Sequence, residues 1–114
     1  MSNPKQPLLL VYKKFIYLLK GLKGKKRAAL IKTLGREHLN CISEIFSNFL
    51  KKHLTCKSGI IKKLKNYREE IRAVARKKTS LRRKREILSS KRGGSILAAI
   101  LPLAAGLLGK LFTG

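Results

Sequence analysis

The sequence predicts an all-α protein, in which a small basic helical bundle is followed by a Gly-Gly hinge and an apolar C-terminal helical tail. Apolar side chains recur at three- and four-residue spacing through most of the chain, and no segment indicates a strand. The chain carries 28 Lys and Arg against 5 acidic residues, and this charge ends before Gly93-Gly94, after which Lys110 is the only charged residue. These patterns divide the chain into an N-terminal arm with an apolar helix, a basic helical DNA-binding region and an apolar Gly/Pro-containing tail, over residues 1–24, 25–92 and 93–114.

The first segment combines a proline-containing arm with one apolar helix. Residues 1–7 hold two prolines and predict a flexible arm. The stretch 8–19 is apolar on most sides, and Lys13-Lys14 breaks any strand-like alternation, so a buried or partner-packed helix is favoured. Gly21 and Gly24 then mark a break in the chain.

Two helices follow this break. Residues 25–34 predict a short helix that ends at Gly35. Residues 36–52 predict a clearer amphipathic helix. Its apolar positions are Leu39, Ile42, Ile45, Phe46, Phe49 and Leu50. A loop over 55–59 comes next, and Ser58 is a candidate N-cap for the following helix.

Residues 60–77 give the strongest amphipathic pattern of the chain. The apolar stripe consists of Ile60, Leu64, Tyr67, Ile71 and Val74. The opposite face is basic and consists of Lys62, Lys63, Lys65, Arg68, Arg72 and Arg76. Thr79 or Ser80 can cap one more short helix, in which Leu81, Ile87 and Leu88 point inward. The predicted core is thin, so we expect marginal stability unless a partner binds.

The net charge of +23 points to a polyanionic partner, because a bound polyanion relieves self-repulsion between the cations. Duplex DNA and anionic lipid both qualify. Arginines outnumber lysines over residues 68–92, which favours forked contacts to phosphate oxygens. Tyr67 is the only aromatic residue of the basic run over residues 57–92, so duplex backbone binding is favoured over stacking on single strands. The candidate phosphate-binding residues are Lys25, Lys26, Arg27, Lys62, Lys63, Lys65, Arg68, Arg72, Arg76, Lys77, Lys78, Arg82, Arg83, Lys84, Arg85, Lys91 and Arg92.

The tail needs a separate interpretation. Its uncharged stretch, residues 93–109, has 17 residues, which is at the lower limit of about 17 for a bilayer-spanning helix. Pro102 and Gly106 weaken it as a regular helix. A helix that lies on or inserts partway into a membrane, or that contacts a capsid protein, is favoured. The alternative is a hairpin lid that covers the apolar face of the bundle. The residues assigned to this contact are Ile96, Leu97, Ile100, Leu101, Leu103, Leu107, Leu108, Leu111 and Phe112.

The sequence offers little material for metal binding or catalysis. His38 and Cys41, and then His53 and Cys56, form a repeated pair whose ligand types suit zinc, but the spacing is unusual for zinc and small core groups are the favoured interpretation. The chain has no Asp and no Gly-rich phosphate loop, so we expect neither an enzyme nor a cofactor. Two cysteines and no secretory signal predict a reducing compartment.

The segment KRGGSILAAILPLAAGLLGKLF, beginning at Lys91, resembles the core protein X (mu precursor) family of adenoviruses and the X-like proteins of adintoviruses and Maverick/Polinton elements. The resemblance consists of an arginine-rich block, then Arg-Gly-Gly, then a tail rich in Leu, Ala and Gly with an Ile-Leu-Pro-Leu step at 100–103. It implies a virion core protein that condenses double-stranded DNA, located in the virion core and, during assembly, in the host nucleus.

The same resemblance implies cleavage by a viral cysteine protease after Gly93-Gly94, which would release Ser95 as the first residue of a fragment. The adenoviral protease prefers Met, Ile or Leu four residues before the cut, where this chain has Lys91. A flexible hinge at the two glycines is the other interpretation. For the whole chain, the alternative to a DNA-condensing core protein is a membrane-active cationic protein, bacteriocin-like or pore-forming, whose charges meet anionic lipid.

Overall fold

The computed structural model describes residues 12–51 and 58–113, with side chains described for 12–51 and 59–106. Within these residues the chain forms seven α-helices and one 3₁₀ turn, and no strand, which confirms the all-α prediction. The helices are α1 (Lys13–Gly21), α2 (Gly24–Lys32), α3 (Arg36–Leu50), α4 (Ser58–Leu64), α5 (Arg68–Ala75), α6 (Leu81–Ser89) and α7 (Lys91–Thr113), with the 3₁₀ turn at Lys65–Tyr67 between α4 and α5. Residues 55–57 of the loop expected over 55–59 lie outside the described residues, whereas Ser58 and Gly59 already belong to α4, so the helix begins earlier than predicted.

Local chemistry explains where two of these helices begin. Gly24 has a positive φ of 56° at the start of α2, a backbone conformation that side chains with a Cβ rarely adopt. The Ser80 side chain accepts a hydrogen bond from the Arg83 backbone N–H at 3.1 Å, so it caps α6 as one of the two predicted candidates.

The helix expected over 60–77 is interrupted. The 3₁₀ turn separates α4 from α5, and α5 ends at Ala75. At the interruption, Arg92 of α7 donates to the Asn66 carbonyl at 2.8 Å. A contact from a distant helix thus satisfies a backbone group at the break, and local sequence pattern has no access to such a contact.

The core forms around α3. It packs chiefly against α5, while α1 packs against α7 and α2 against α6. Leu39, Ile42, Ile45 and Phe46 of α3 have no exposed surface, as their spacing predicted. Of the inward positions predicted in the later helices, Leu64, Ile71, Val74, Ile87 and Leu88 are buried, whereas Ile60, Tyr67 and Leu81 are half-buried. Leu50, predicted on the apolar face of α3, is exposed, because it is the last residue of that helix.

The apolar tail is part of this core. Ile96, Leu97, Ile100 and Leu101 are at most 1% exposed and belong to the same buried cluster as α3. The Tyr17 hydroxyl of α1 reaches the Ala105 carbonyl of α7 at 3.5 Å. The tail therefore covers the apolar face of α1–α6 as the lid alternative expected, but it does so as one helix, α7, and not as a hairpin. Leu103 is half-buried, and the side chains of Leu107, Leu108, Leu111 and Phe112 lie outside the described set.

Among the helices of the described residues, none has the length and hydropathy needed to cross a bilayer.

The two glycines do not form the expected hinge. Both lie in the first turn of α7, where Gly93 N–H donates to Ser90 Oγ at 3.0 Å and Gly94 N–H donates to the Ser90 carbonyl at 2.8 Å. A Cβ on Gly93 would lie 2.7 Å from Leu88 Cα and would also clash with the Ile87 carbonyl oxygen. Ser90 alone separates α6 from α7, so the second helix crosses the last turn of the first at backbone contact. Gly93 thus serves close packing rather than flexibility.

Candidate nucleic-acid interface

Most of the predicted phosphate-binding side chains lie on the surface. The exposed ones are Lys25, Lys26, Lys62, Lys63, Lys65, Arg68, Arg72, Arg76, Lys77, Lys78, Arg82, Arg83, Lys91 and Arg92. Arg27 and Lys84 are buried, and Arg85 is half-buried. The structure therefore separates the predicted set into cations that face solvent and cations that the fold uses.

One group of exposed cations follows α4 and α5 along the chain. We define the α4–α5 basic face as Lys62, Lys63, Lys65, Arg68 and Arg72, all exposed. The opposite side of the same segment is anchored in the core by the buried Leu64 and Ile71. Because the buried side of α4 and α5 is packed in the core, the exposed cations on the other side can contact a polyanion without disturbing the fold.

Arg92 is exposed but is held by an intramolecular cluster. Its Nε donates to Glu70 Oε1 at 2.8 Å, and its guanidinium lies 4.6 Å from the centre of the Tyr67 ring. The hydrogen bond from Arg92 lowers the pKa of the Glu70 carboxyl, and the same bond raises the pKa of Arg92. This cluster joins the start of α7 to the break between α4 and α5. The guanidinium of Arg92 is therefore already engaged in contacts that stabilise the fold.

Arg82 and Arg83 share one carboxylate. Their guanidinium groups lie 3.4 and 3.7 Å from Glu86, within α6. All three side chains are more than half exposed, and such solvent-screened pairs contribute little to stability. Both arginines therefore remain accessible to a phosphate.

Arg27 and Arg85 donate hydrogen bonds to backbone carbonyls at or just beyond the ends of helices. Arg27 Nε donates to the carbonyls of Leu19 and Leu22, at 3.0 and 2.8 Å, where α1 ends, and burial lowers its pKa. Arg85 Nε donates to the Leu34 carbonyl at 2.8 Å, just after α2. The last carbonyls of a helix lack intrahelical partners, so these two cations stabilise the bundle, and the structure removes them from the predicted phosphate-binding set.

Lys84 is the most deeply buried cation that the structure describes. It is 2% exposed, and its Nζ donates to Ser43 Oγ of α3 at 2.8 Å. Burial lowers its pKa. The sequence analysis counted Lys84 with the phosphate-binding cations, yet it lies three residues after Leu81 and three and four residues before Ile87 and Leu88, on the predicted inward face of α6. This helical phase was the available signal for its burial.

Two open clefts are lined by cations. The first has a volume of about 980 Å³ and lies between the α1–α2 turn and α7, with Lys20, Lys23, Lys25 and Lys91 beside the apolar Leu101. Lys20 and Lys23 did not belong to the predicted set. They precede the basic run in sequence and join Lys91 only through the packing of α1 on α7.

The second cleft, which we call the polar cleft, has a volume of about 940 Å³ and lies between α3 and the turn at residues 76–80. Lys77 and Lys78 line it from the turn, and Lys84 lies at its floor. Its other walls contain uncharged polar side chains of α3 that sequence reasoning did not select, because they form no basic pattern.

The structure describes one of the two candidate zinc-ligand pairs, His38 and Cys41. Cys41 is a fully buried thiol, and burial raises its pKa to about 12. The His38 ring lies 4.6 Å from the Phe15 ring and 5.0 Å from the Tyr12 ring, centre to centre. In the part of the chain that the structure describes, no three metal-ligating side chains come together. His53 and Cys56 lie outside the described residues.

Fold and surface together define a small all-helical protein with a strongly cationic exterior. This chain matches no protein-family model, no curated protein and no solved structure. The resemblance to the core protein X family accordingly stays a prediction.

Proposed function

We propose that this protein binds and condenses double-stranded DNA without sequence specificity, as a core protein of a virus or virus-like element. One observation carries the proposal. After the cations used by the fold are set aside, the exposed surface still carries more than a dozen Lys and Arg side chains, while two of the five carboxylates, Glu70 and Glu86, are already occupied by arginines.

Duplex DNA is favoured over a single strand by the surroundings of these cations. Tyr67, the aromatic residue within the basic segment, is half-buried and already covered by Arg92, so it is not free to stack on a base. Backbone phosphates are then the groups that the surface can contact, and such contacts carry no sequence information. Location in the virion core, and in the host nucleus during assembly, belongs to the same proposal and rests on the resemblance.

Contacts of the tail with capsid proteins or lipid form the second part of the proposal. Ile96, Leu97, Ile100 and Leu101 are enclosed in the core. The solvent side of α7, through Ala98 and Pro102, is the described surface left for such a contact.

We propose that a viral cysteine protease cleaves after Gly94 when the first turn of α7 is locally unfolded. The glycines lie in a hydrogen-bonded helical turn, so the scissile segment becomes accessible only when the first turn of α7 unfolds locally.

The test is a salt titration of the full chain on duplexes of unrelated sequence. We expect log K to fall linearly with log salt, with a slope near −0.9 for each neutralised phosphate and equal affinity for each duplex. Neutralising four residues of the α4–α5 basic face (Lys62, Lys63, Arg68 and Arg72, each to Gln) should make the slope shallower by about 3 to 4.

A matched control is the replacement of four exposed cations elsewhere with Gln, namely Lys14, Lys20, Lys23 and Lys32. If both variants change the slope of log K against log salt equally, DNA binding depends on the total charge and not on the α4–α5 basic face in particular. The absence of salt-dependent binding, or a strong preference for one sequence, would overturn the proposal.

A membrane-active cationic protein is the second candidate, and one observation favours it. α1 carries Lys14 and Lys20 on its exposed side and packs along the apolar α7, so a cationic and an apolar helix already form one unit. Parallel measurements on anionic liposomes discriminate the two. Leakage of the liposomes, with weak DNA binding, would support this candidate against the first.

A further inference from the structure

The polar cleft combines charged side chains with a group of uncharged polar ones. α3 and its C-cap line the cleft with the charged Arg36, Glu44 and Lys51 and with four uncharged polar residues, Asn40, Ser43, Ser47 and Asn48. Asn40, Ser43 and Ser47 follow three- and four-residue spacing, and Asn48 lies four residues after Glu44, so all four uncharged residues lie along one face of the helix. Ser and Asn are poor helix formers because they compete for backbone hydrogen bonds. Four of them on one face weaken α3, and a solvated face does not need them.

The floor of the cleft holds a cation without a carboxylate partner. Lys84 is 2% exposed and forms no ion pair in the described part of the chain; its single hydrogen bond is the one to Ser43 Oγ. An ammonium group has three donors, so two remain beyond this bond. Burying a cation without a counter-charge is costly, and an anion in the cleft would offset that cost.

The opposite wall supplies more cations and hydroxyls. The turn between α5 and α6 contributes Lys77, Lys78, Thr79 and Ser80. The whole lining contains five basic side chains against one acidic side chain, Glu44. No aromatic residue is among the described residues that line the cleft. The cleft therefore offers charge and hydrogen bonds to an anion but no surface on which a base could stack.

This combination matches the chemistry of a sugar–phosphate backbone. Contacts to phosphate and sugar oxygens in protein–DNA complexes come from Arg and Lys together with Ser, Thr and Asn side chains. Lipid headgroups are also anionic, but the apolar wall that an acyl chain needs is found in the cleft beside α7 instead, at Leu101 and Pro102.

We propose that the polar cleft is a phosphodiester-binding site, in which Lys84 and the uncharged residues of α3 contact the backbone of a nucleic acid. This inference rests on the proposed function and deepens it. The α4–α5 basic face supplies long-range attraction, and the polar cleft supplies the short-range hydrogen bonds that position the backbone.

The test uses the full chain and a short duplex, with fluorescence anisotropy at several salt concentrations. The variant N40A/S47A removes two polar groups and no charge. We expect its DNA affinity to fall about tenfold, as for the loss of hydrogen bonds to a charged group, while the salt slope stays unchanged because no counterion is involved.

K84M examines the floor of the cleft. Methionine keeps much of the buried volume and removes the charge, so we expect the thermal midpoint to be maintained or raised, while DNA affinity falls about tenfold and the slope becomes shallower by about 0.9. The matched control K63M removes one exposed charge from the α4–α5 basic face. It should change the slope equally and the affinity less.

The outcomes separate the two proposals. If the unmodified chain shows no salt-dependent DNA binding, both proposals fail. If it binds, but N40A/S47A retains full affinity and K84M behaves as K63M does, the polar cleft is not the phosphodiester site and the general DNA-binding proposal stands. Competition by inorganic phosphate at concentrations equal to those of the DNA phosphates would show that a free anion, rather than the backbone, is the ligand.

Discussion

Gly93 lies against the backbone of Ile87, close enough that a Cβ at Gly93 would occupy the position of the Ile87 carbonyl oxygen. This contact joins the end of α6 to the start of α7 across a single residue, Ser90. A Cβ at Gly94, in contrast, would point into open space, with no atom of another helix within 4 Å. A side chain at Gly93 should therefore destabilise the fold, whereas a side chain at Gly94 should be tolerated.

Gly93→Ala should destabilise the protein, because the α6 backbone cannot move aside as a flexible side chain would. The expected cost is about 1–3 kcal/mol, typical of an overpacked core. Gly94→Ala should leave stability unchanged or raise it by up to about 1 kcal/mol, since alanine is the better residue inside a helix. Chemical denaturation of both variants gives the comparison. Equal stability of the two would contradict the packing of α7 on α6 and restore a flexible hinge.

Ile100→Ala tests whether the tail is part of the core. Ile100 has no exposed surface, so the cavity left behind should cost about 2–5 kcal/mol. Ile61→Ala is the matched control, because Ile61 is 51% exposed and its truncation should change stability by less than about 0.5 kcal/mol. Thermal unfolding followed by circular dichroism measures both. A small effect of Ile100→Ala would mean that the tail leaves the bundle in solution.

Arg72→Gln and Arg85→Gln should separate DNA contact from fold contact. Arg72 is exposed on the α4–α5 basic face, so its loss should make the DNA salt slope shallower by about 0.9 and change stability little. Arg85 donates to the Leu34 carbonyl at 2.8 Å, so its loss should cost about 1–2 kcal/mol of stability with an unchanged slope. The opposite pattern in the two variants would show that the basic residues have been assigned the wrong way round.

The Arg92–Glu70 pair predicts a pH dependence of stability. The hydrogen bond from Arg92 lowers the pKa of Glu70 below its ordinary value of 4.5. A carboxyl whose pKa is lowered in the folded state stabilises the protein above its ordinary pKa, and this contribution is lost as the pH falls through the folded pKa. The melting temperature of Glu70→Gln should therefore lie below that of the unmodified chain at pH 7.

At pH 3 the two proteins should approach one another. The side chain of Arg92 is 55% exposed, so solvent screening keeps the effect modest. Glu69→Gln is the control, because Glu69 is the neighbouring carboxylate on the exposed side of α5. If Glu69→Gln lowers the pH 7 melting temperature as much as Glu70→Gln does, the specific pair with Arg92 is not responsible.

Several features of the fold followed from the sequence by itself. The periodic apolar residues of α3 and α5 predicted helices and their buried faces, because an amphipathic helix can bury only the side on which its apolar residues recur. Ser80 was one of two predicted caps for α6. The exposed cations of the α4–α5 basic face were predicted in the same way, as the side opposite Leu64 and Ile71.

Tertiary structure alone decided which cations the fold uses and where the apolar tail lies. Arg27, Lys84, Arg85 and Arg92 resemble their basic neighbours in sequence, yet each meets a carbonyl, hydroxyl or carboxylate supplied by another part of the chain. The position of Gly93 depends in the same way on how α7 crosses α6. Sequence periodicity reports the environment of a residue within its own helix, whereas these contacts depend on how helices pack, which is decided by the burial of apolar surface across the whole bundle.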